Sequence, residues 1–478
     1  IATLTGENGI LTRAQEAKTK TEEAEDIEKI RLAMSEAQIG ENRYQELDAT
    51  NFQEALNSQF EGRNIQLSDN GDGSYTISLD NNSKMFYADS DGQIISNENM
   101  IEIGTAEELK AFRDEVNSGN TYEGKYVYLT NDISLDINEE WTPIGIYLND
   151  VTTPDDERNK PFKGIFDGGN YEINGIYINT TNKVQGLFGL INNGKIMNII
   201  IGENCNITGG IATAGVVGYV CNNSIVNNCS NSSNINAEMG GGNVGYSNKS
   251  IIINNHNLGS VEGKEMTGGV VGGCQDSTSI LKCYNTGNVS GSLQQIGGIA
   301  GRIIGNSEIN QCYNNGNVNG KTWTGGICGL VQDNSKIISC FNLNTIVGQS
   351  DNVGGVSGKI DNASIEDCYN IGTIEGREDS IGGIVGHSQY GTIKKCYNIG
   401  NVIGTNAIEI GGVLGKITSQ SSNNNNYYLT GCVSNSNILE GIRECTETEL
   451  KSLTLDLGDA FKEDANNINN GYPILKWQ

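Results

Sequence analysis

The pair Gly-x-x-Gly returns nine times along this chain, with first glycines at Gly186, Gly215, Gly242, Gly269, Gly298, Gly326, Gly355, Gly383 and Gly412. The steps are 27 to 29 residues. So regular a period means that each repeat is one structural unit stacked on the last. The repeat reads most cleanly as GGIVGHSQYGTIKKCYNIGNVIG from Gly382 and GGVSGKIDNASIEDCYNIGTIEG from Gly354. Its apolar runs lie inside the Gly-x-x-Gly, around Ile393 and Cys396, and at Val402. Each is too short and too β-branched for a helix. Three strands and three turns per repeat predict one coil of a parallel β-solenoid. Nine coils at a strand spacing of about 4.8 Å make a rod about 40 Å long.

Columns through the repeats support stacking in register. One holds Cys229, Asn255, Cys283, Cys312, Cys340, Cys368 and Cys396. The next holds Ser230, His256, Tyr284, Tyr313, Phe341, Tyr369 and Tyr397. The third is asparagine throughout: Asn231, Asn257, Asn285, Asn314, Asn342, Asn370 and Asn398. Such a column predicts amide hydrogen bonds from coil to coil, and asparagine also suits a left-handed turn. The residue before each cysteine is polar (Asn228, Lys282, Gln311, Ser339, Asp367, Lys395), so the cysteine is expected to face inward. Ile280, Ile309, Ile337, Ile365 and Ile393, three residues before it, also read as core. A separation of three breaks strict alternation and implies a bulge or corner between them. The aromatic column then faces outward.

Hydrophobic residues make up only 36% of the 478, and glycine fills 63 positions, which suits a thin solenoid core better than a compact enzyme domain. Lys and Arg total 31 against 58 Asp and Glu, a formal charge of −27. That balance argues against nucleic acid or an anionic membrane surface as partner. Its plainest meaning is solubility outside the cell. Six of the twelve cysteines share one column, where parallel strands point them the same way, a poor geometry for bridging. They read as buried thiols. Paired CxxC or Cys/His spacings are lacking, so neither a metal nor another cofactor is expected. Cys432 and Cys445, outside the column, are the one pair considered for a bridge.

Five segments follow. Residues 1–60 form a helical segment: Thr12 with Gln15 caps a charged run from Arg13 to Ala37, striped by Ala14, Ala17, Ala24, Ile27, Ile30, Ala33 and Ala37. Thr50 with Gln53 caps a second helix through Leu56. Residues 61–100 form a small β-hairpin region, with strands Ser74–Leu79 and Met85–Ala88 bounded by the turn clusters at 70–73 and 89–92. Residues 101–184 hold the N-terminal cap and opening coils, including a helix Ala106–Val116 capped by Thr105 and Glu108 and a strand Tyr126–Leu129. Residues 185–432 are the repeat solenoid. Residues 433–478 are the C-terminal cap, with a helix begun by Thr446 and Glu449. No run of 18 apolar residues occurs. Ile1–Leu4 reads as the trailing edge of a hydrophobic segment already removed, so membrane attachment would need a segment absent from this chain.

The Gly-hydrophobic-x-Gly unit with its GTIKKCYNIGNV-like continuation resembles the GLUG motif of bacterial cell-surface and secreted proteins. WTPIG…FKGIFDGGNYEINGIYI before it and NNGYPILKW after it resemble the segments that flank such repeats. The opening IATLTGENGILTRAQEAKTKTEEA resembles the region just after the hydrophobic half of the first helix in type IV pilin-like proteins of low-GC Gram-positive bacteria. The resemblance implies extracellular surface display and adhesion, and it brings no catalytic residues. Host or matrix glycans and proteins are the partners it suggests, with self or other pilin-like subunits engaging residues 1–60.

Two alternatives stand beside a surface adhesin or pilus-associated subunit: a polysaccharide-active β-helix enzyme and a structural spacer. An enzyme needs clustered carboxylates, a nucleophile with its base, or a metal. The two histidines, His256 and His387, sit at repeat positions, and carboxylates such as Asp276, Glu308, Glu366 and Asp367 form no column. The candidate ligand surface is the aromatic stripe Tyr284, Tyr313, Phe341, Tyr369 and Tyr397, whose exposed rings would offer flat apolar faces to a sugar or a partner. The ladders Cys283, Cys312, Cys340, Cys368, Cys396 and Asn285, Asn314, Asn342, Asn370, Asn398 are structural.

Overall fold

The computed structural model describes residues 10–38, 47–70, 73–89, 92–434, 436–437 and 439–478. Ile1–Leu4 and the centres of both turn clusters lie outside the described residues. The chain divides into two compact units, 1–102 with 124–128, and 103–123 with 129–478.

The first unit pairs two helices with an antiparallel sheet. Helix α1 spans Ile10–Ala37 and α2 spans Ala49–Gln59. α1 therefore starts two residues before Thr12, the residue expected to cap it. Asp48, not Thr50, caps α2: its carboxylate accepts from the backbone N–H groups of Thr50 and Asn51 at 2.9 and 3.0 Å. The expected hairpin is a four-stranded meander, β1 (Ile65–Asp69), β2 (Ser74–Leu79), β3 (Lys84–Asp89) and β4 (Ile94–Ser96). Both turn clusters join its strands. One core holds Ile30, Ala33, Phe52, Leu56, Ile77 and Phe86, so the helices and the sheet fold together. Asp26 of α1 is buried but accepts from Arg63 at 2.8 Å and Lys84 at 2.6 Å, which offsets the loss of water around its charge. Among the described side chains the stripe on α1 is covered only toward its C-terminal end. Ile30, Ala33 and Ala37 are buried, while Ala17 and Ala24 are exposed.

The second unit opens with α3 (Ala106–Ser118), capped reciprocally by Thr105 and Glu108 and ended by Gly119 in the left-handed conformation at φ 114°. The chain then winds into a parallel β-solenoid of about twelve turns. One face is a row of nine strands from Phe188–Asn192 to Leu414–Thr418. A second runs from Ile165–Asp167 to Ser422–Asn424, and a third has twelve strands from Ile133–Ser134 to Ile442–Cys445. The fourth begins with Tyr177–Asn179, continues with the long strands Asn206–Thr213 and Asn234–Gly241, then splits into two rows such as Ile346–Gly348 and Val353–Gly354. A later coil thus holds five short strands where three apolar runs were legible. The second row is marked by residues with positive φ that are not glycine: Asn352 and Ser380 stand just before its strands, and Gln295 and Trp323 lie inside them.

The motif glycines are sites of close backbone approach. A Cβ on Gly355 would collide with the carbonyl of Gly383 and with the side chain of Asn370. One on Gly358 would lie 2.5 Å from Thr324 N. Each coil turns so tightly at this motif that the next coil and the buried asparagine occupy the space a side chain needs.

Candidate binding faces of the solenoid

The corner inferred before each cysteine is present and has a definite cause. Asn228, Asn254, Lys282, Gln311, Ser339, Asp367 and Lys395 all hold φ between 51° and 56°, which turns the chain between the second and third faces. The left-handed residue is therefore the one before the cysteine, and the asparagine column lies in strand instead. The cysteines and the isoleucines three residues earlier are fully buried. Backbone N–H groups of Cys283, Cys312 and Cys340 donate to the sulfur one coil on at 3.3–3.4 Å. Burial pushes the Cys229 and Cys274 thiols up to about 12, and raises Cys283, Cys312 and Cys368 as well. Cys432 and Cys445 are free thiols. Cys432 Sγ receives the last amide of the asparagine ladder, Asn398 Nδ2, at 3.6 Å, and Cys445 packs with Leu450 and Leu453.

The asparagine ladder is continuous. Nδ2 of Asn257, Asn285, Asn314, Asn342 and Asn370 donates to the next Oδ1 at 2.7–2.8 Å. The other N–H of each amide donates to the carbonyl two residues on, such as Gly287 O and Gly316 O at 2.8 Å. All are fully buried.

The aromatic column faces out from its coils and its rings stack. Tyr313–Phe341, Phe341–Tyr369 and Tyr369–Tyr397 lie 4.9–5.1 Å apart and within 4° of parallel. It does not form the open stripe expected of a ligand surface. Phe341, Tyr369 and Tyr397 are 5%, 1% and 0% exposed, and Tyr284 and Tyr313 are half-buried. The cover is the C-terminal segment. Leu450, Leu453, Leu457, Phe461, Tyr472 and Leu475 pack on this column, Trp477 lies 5.6 Å from Phe341, and Asn469 Nδ2 donates to Tyr397 Oη at 2.8 Å. An apolar row on a sheet face is stabilised by leaving water, and the chain supplies its own cover. Residues after 445 therefore lie along a side of the solenoid as well as past its last coil.

The nine-stranded face carries a second row that sequence reasoning missed. Strand register aligns Leu190, Tyr219, Tyr246, Gly273, Arg302, Leu330, Lys359, His387 and Lys416 one above another. Leu190, Gly273 and Leu330 are buried, and the other six are half-exposed. Every one immediately follows the second glycine of a Gly-x-x-Gly, a signal present in the sequence but hidden because the residue type changes from coil to coil. Tyr147 lies 5.8 Å from Tyr219, which meets Tyr246 edge-on at 5.6 Å. Lys359 Nζ sits 5.5 Å over the Trp323 ring. His387 Nε2 bonds Thr418 Oγ1 at 2.8 Å, and its pKa is lowered by burial and then by Lys359 and Lys416. At the N-terminal end of the row a cleft of about 420 Å³ is lined by Trp141, Tyr147, Asn149, Asn182, Lys183 and Gln185. Among the described residues no helix is long and apolar enough to cross a membrane.

Residues 379–403, one coil of the solenoid, match the GLUG motif family. No curated protein sequence matches the chain. The crystal structure of a candidate immunoglobulin A1 protease from Bacteroides ovatus aligns with 80% of this chain and 94% of its own at 18% identity and a TM-score of 0.37, a likeness too distant to bear on activity. This chain is thus a β-solenoid that carries a GLUG motif.

Proposed function

We propose that this chain is an extracellular bacterial adhesin or pilus-associated subunit, displayed at the cell surface, whose solenoid presents side chains for binding. The observation that carries the reading is the contrast between two outward rows. The regular aromatic column is covered by the chain's own C-terminal segment from Phe341 to Tyr397, whereas the varied row on the nine-stranded face keeps Tyr219, Tyr246, Arg302, Lys359, His387 and Lys416 half-exposed. Ladders of amides, thiols and rings hold that row in register, so the scaffold is rigid where its surface changes. The exposed stretch of α1 from Ala17 to Thr21, with Ala24, supports a role for residues 1–60 in packing against other helices, as the pilin-like resemblance implies. The test is a screen of the purified chain against arrays of host and matrix glycans and proteins, with turnover of the same glycans followed in parallel. Saturable binding without turnover is expected. Turnover, or no binding to either array, would overturn the reading.

A further inference from the structure

The outward row on the nine-stranded face has a composition at odds with the rest of the chain. Acidic residues outnumber basic ones by 58 to 31 overall. Along this row the ionisable side chains after the two tyrosines are Arg302, Lys359, His387 and Lys416, with no carboxylate among them. The parallel row two residues further along its strands supplies amides (Asn248, Gln275, Gln332, Gln389) and one carboxylate, Asp361. The tyrosines at the N-terminal end and the cations beyond them form a single track, because strand register holds them in line.

The cations are not used up within the molecule. Lys416 pairs with Glu409 at 2.8 Å. Among the described residues neither Arg302 nor Lys359 makes an ion pair. Arg302 is half-exposed, and among the described residues its side chain bonds only Tyr246 Oη, from Nη2 at 3.5 Å; its Nε is buried and out of a ligand's reach. A half-exposed guanidinium with no carboxylate partner is suited to an acceptor from outside the fold. Asp276 lies near Tyr246 but is held by amides of Asn248 and Gln275 at 3.1 and 3.0 Å. Acidic charge is screened beyond about 8 Å at physiological salt. Closer in, Glu140 lines the cleft and Asp155 and Asp156 lie by Tyr219 and Tyr147, so attraction for an anion is confined to the stretch of the track at Arg302 and Lys359.

Resting on the surface-binding reading above, we propose that this track, from the cleft beside Trp141 and Tyr147 to Lys359, binds an extended acidic glycan. Successive coils are about 4.8 Å apart, close to the span of one sugar ring, so neighbouring residues of a linear glycan meet neighbouring coils. Tyr147, Tyr219 and Tyr246 present apolar ring faces and edges to sugar rings, and the amides bond hydroxyls. Arg302 and Lys359, two coils or about 10 Å apart, pair with carboxylates along the polymer. A neutral glycan would leave the charges of Arg302 and Lys359 without counter-ions from the ligand, and a folded protein would not follow so narrow a row.

The experiment uses the full chain and two probes, oligogalacturonate and its methyl ester, which share rings and differ in charge. Calorimetry is expected to show salt-sensitive binding of the acid and much weaker binding of the ester. Arg302→Gln with Lys359→Gln should weaken the acid at least about tenfold, the scale of lost charge-assisted contacts. Tyr219→Ala with Tyr246→Ala should weaken both probes. Lys282→Gln with Lys336→Gln, an equal charge change on exposed residues away from this row, should leave binding unchanged. Lys359→Gln alone, a change at a half-exposed side chain, covers the case in which the double variant fails to fold. Absence of acid binding, equal binding of acid and ester, or equal loss in the control pair would overturn the proposal. If the same preparation still binds its glycan or protein arrays, this track fails and the surface-binding reading stands. Silence in both assays sinks both.

Discussion

Cutting one rung of the asparagine ladder tests whether buried amides hold the coils together. Asn342 is fully buried. It donates to Asn344 O at 2.7 Å and to Asn370 Oδ1 at 2.8 Å, and accepts from Asn314 Nδ2 at 2.8 Å. Asn342→Ala removes all three bonds. Asn314 keeps its bond to Gly316 O but strands one N–H, and Asn370 Oδ1 loses its donor from the coil below. Asn344 is half-exposed, so water can reach its carbonyl. Two stranded buried groups and the lost bonds amount to a destabilisation of about 3–5 kcal/mol.

Asn342→Asp separates hydrogen bonding from shape. It keeps the acceptor for Asn314 but points a carboxylate at the oxygens of Asn344 and Asn370, so the loss at neutral pH exceeds that of alanine. The carboxyl pKa is then higher in the folded chain than in the unfolded one. The folded state binds more protons, so stability returns as pH falls toward about 4. The alanine variant has no such recovery. Urea unfolding reads the size of the loss, and hydrogen exchange should locate it in the coils holding Asn314, Asn342 and Asn370, because solenoid repeats couple to nearest neighbours. A loss below about 1 kcal/mol for alanine, or an aspartate variant indifferent to pH, would refute the ladder argument.

Three further outcomes follow from the same geometry. All twelve cysteines are buried and free, so thiol labelling should be slow in the native chain and near complete after denaturation without reductant; near-absence of free thiol in the denatured chain contradicts this. Burial lowers the pKa of both His256 and His387, so the unfolded chain takes up protons first and stability falls as pH drops through about 6.5 toward the folded value. His387→Gln should reduce that acid-side loss, and an unchanged pH profile would remove His387 as a cause. Deleting residues 446–478 uncovers Phe341, Tyr369 and Tyr397 and should lower the melting temperature while raising binding of an apolar dye; an unchanged melt would mean that the cover adds nothing to the fold.

Much of the solenoid was legible because its requirements repeat. Every coil needs a glycine where the next backbone passes, an amide for the ladder and a small apolar filler at the corner, so Gly355, Asn370 and Cys368 recur at constant spacing. The strand count was not legible, since the left-handed positions at or just before the second row, Gln295, Trp323, Asn352 and Ser380, use four residue types for one backbone conformation. The cover over Tyr369 and Tyr397 was missed for a different reason. Leu450, Phe461 and Leu475 occur once each, and nothing in the repeat says which face a non-repeating segment will meet.

The two outward rows show why the ligand surface is harder to read than the fold. Tyr284, Tyr313, Phe341, Tyr369 and Tyr397 looked functional because they were regular, but stacked rings with one orientation are a folding device, and most of them are sealed by the chain itself. The position after the second motif glycine has the opposite character. Its backbone is fixed by the tight approach at Gly358 and its equivalents, while at Tyr219, Arg302, Lys359 and His387 the side chain is half-exposed and joins no ladder. Folding therefore places little demand on the residue type in those coils, and these four can differ without disturbing the register that aligns them. In a solenoid of this kind a column that never changes reports on packing. A column that varies in type while keeping its place is where binding specificity can be written at no cost to the fold.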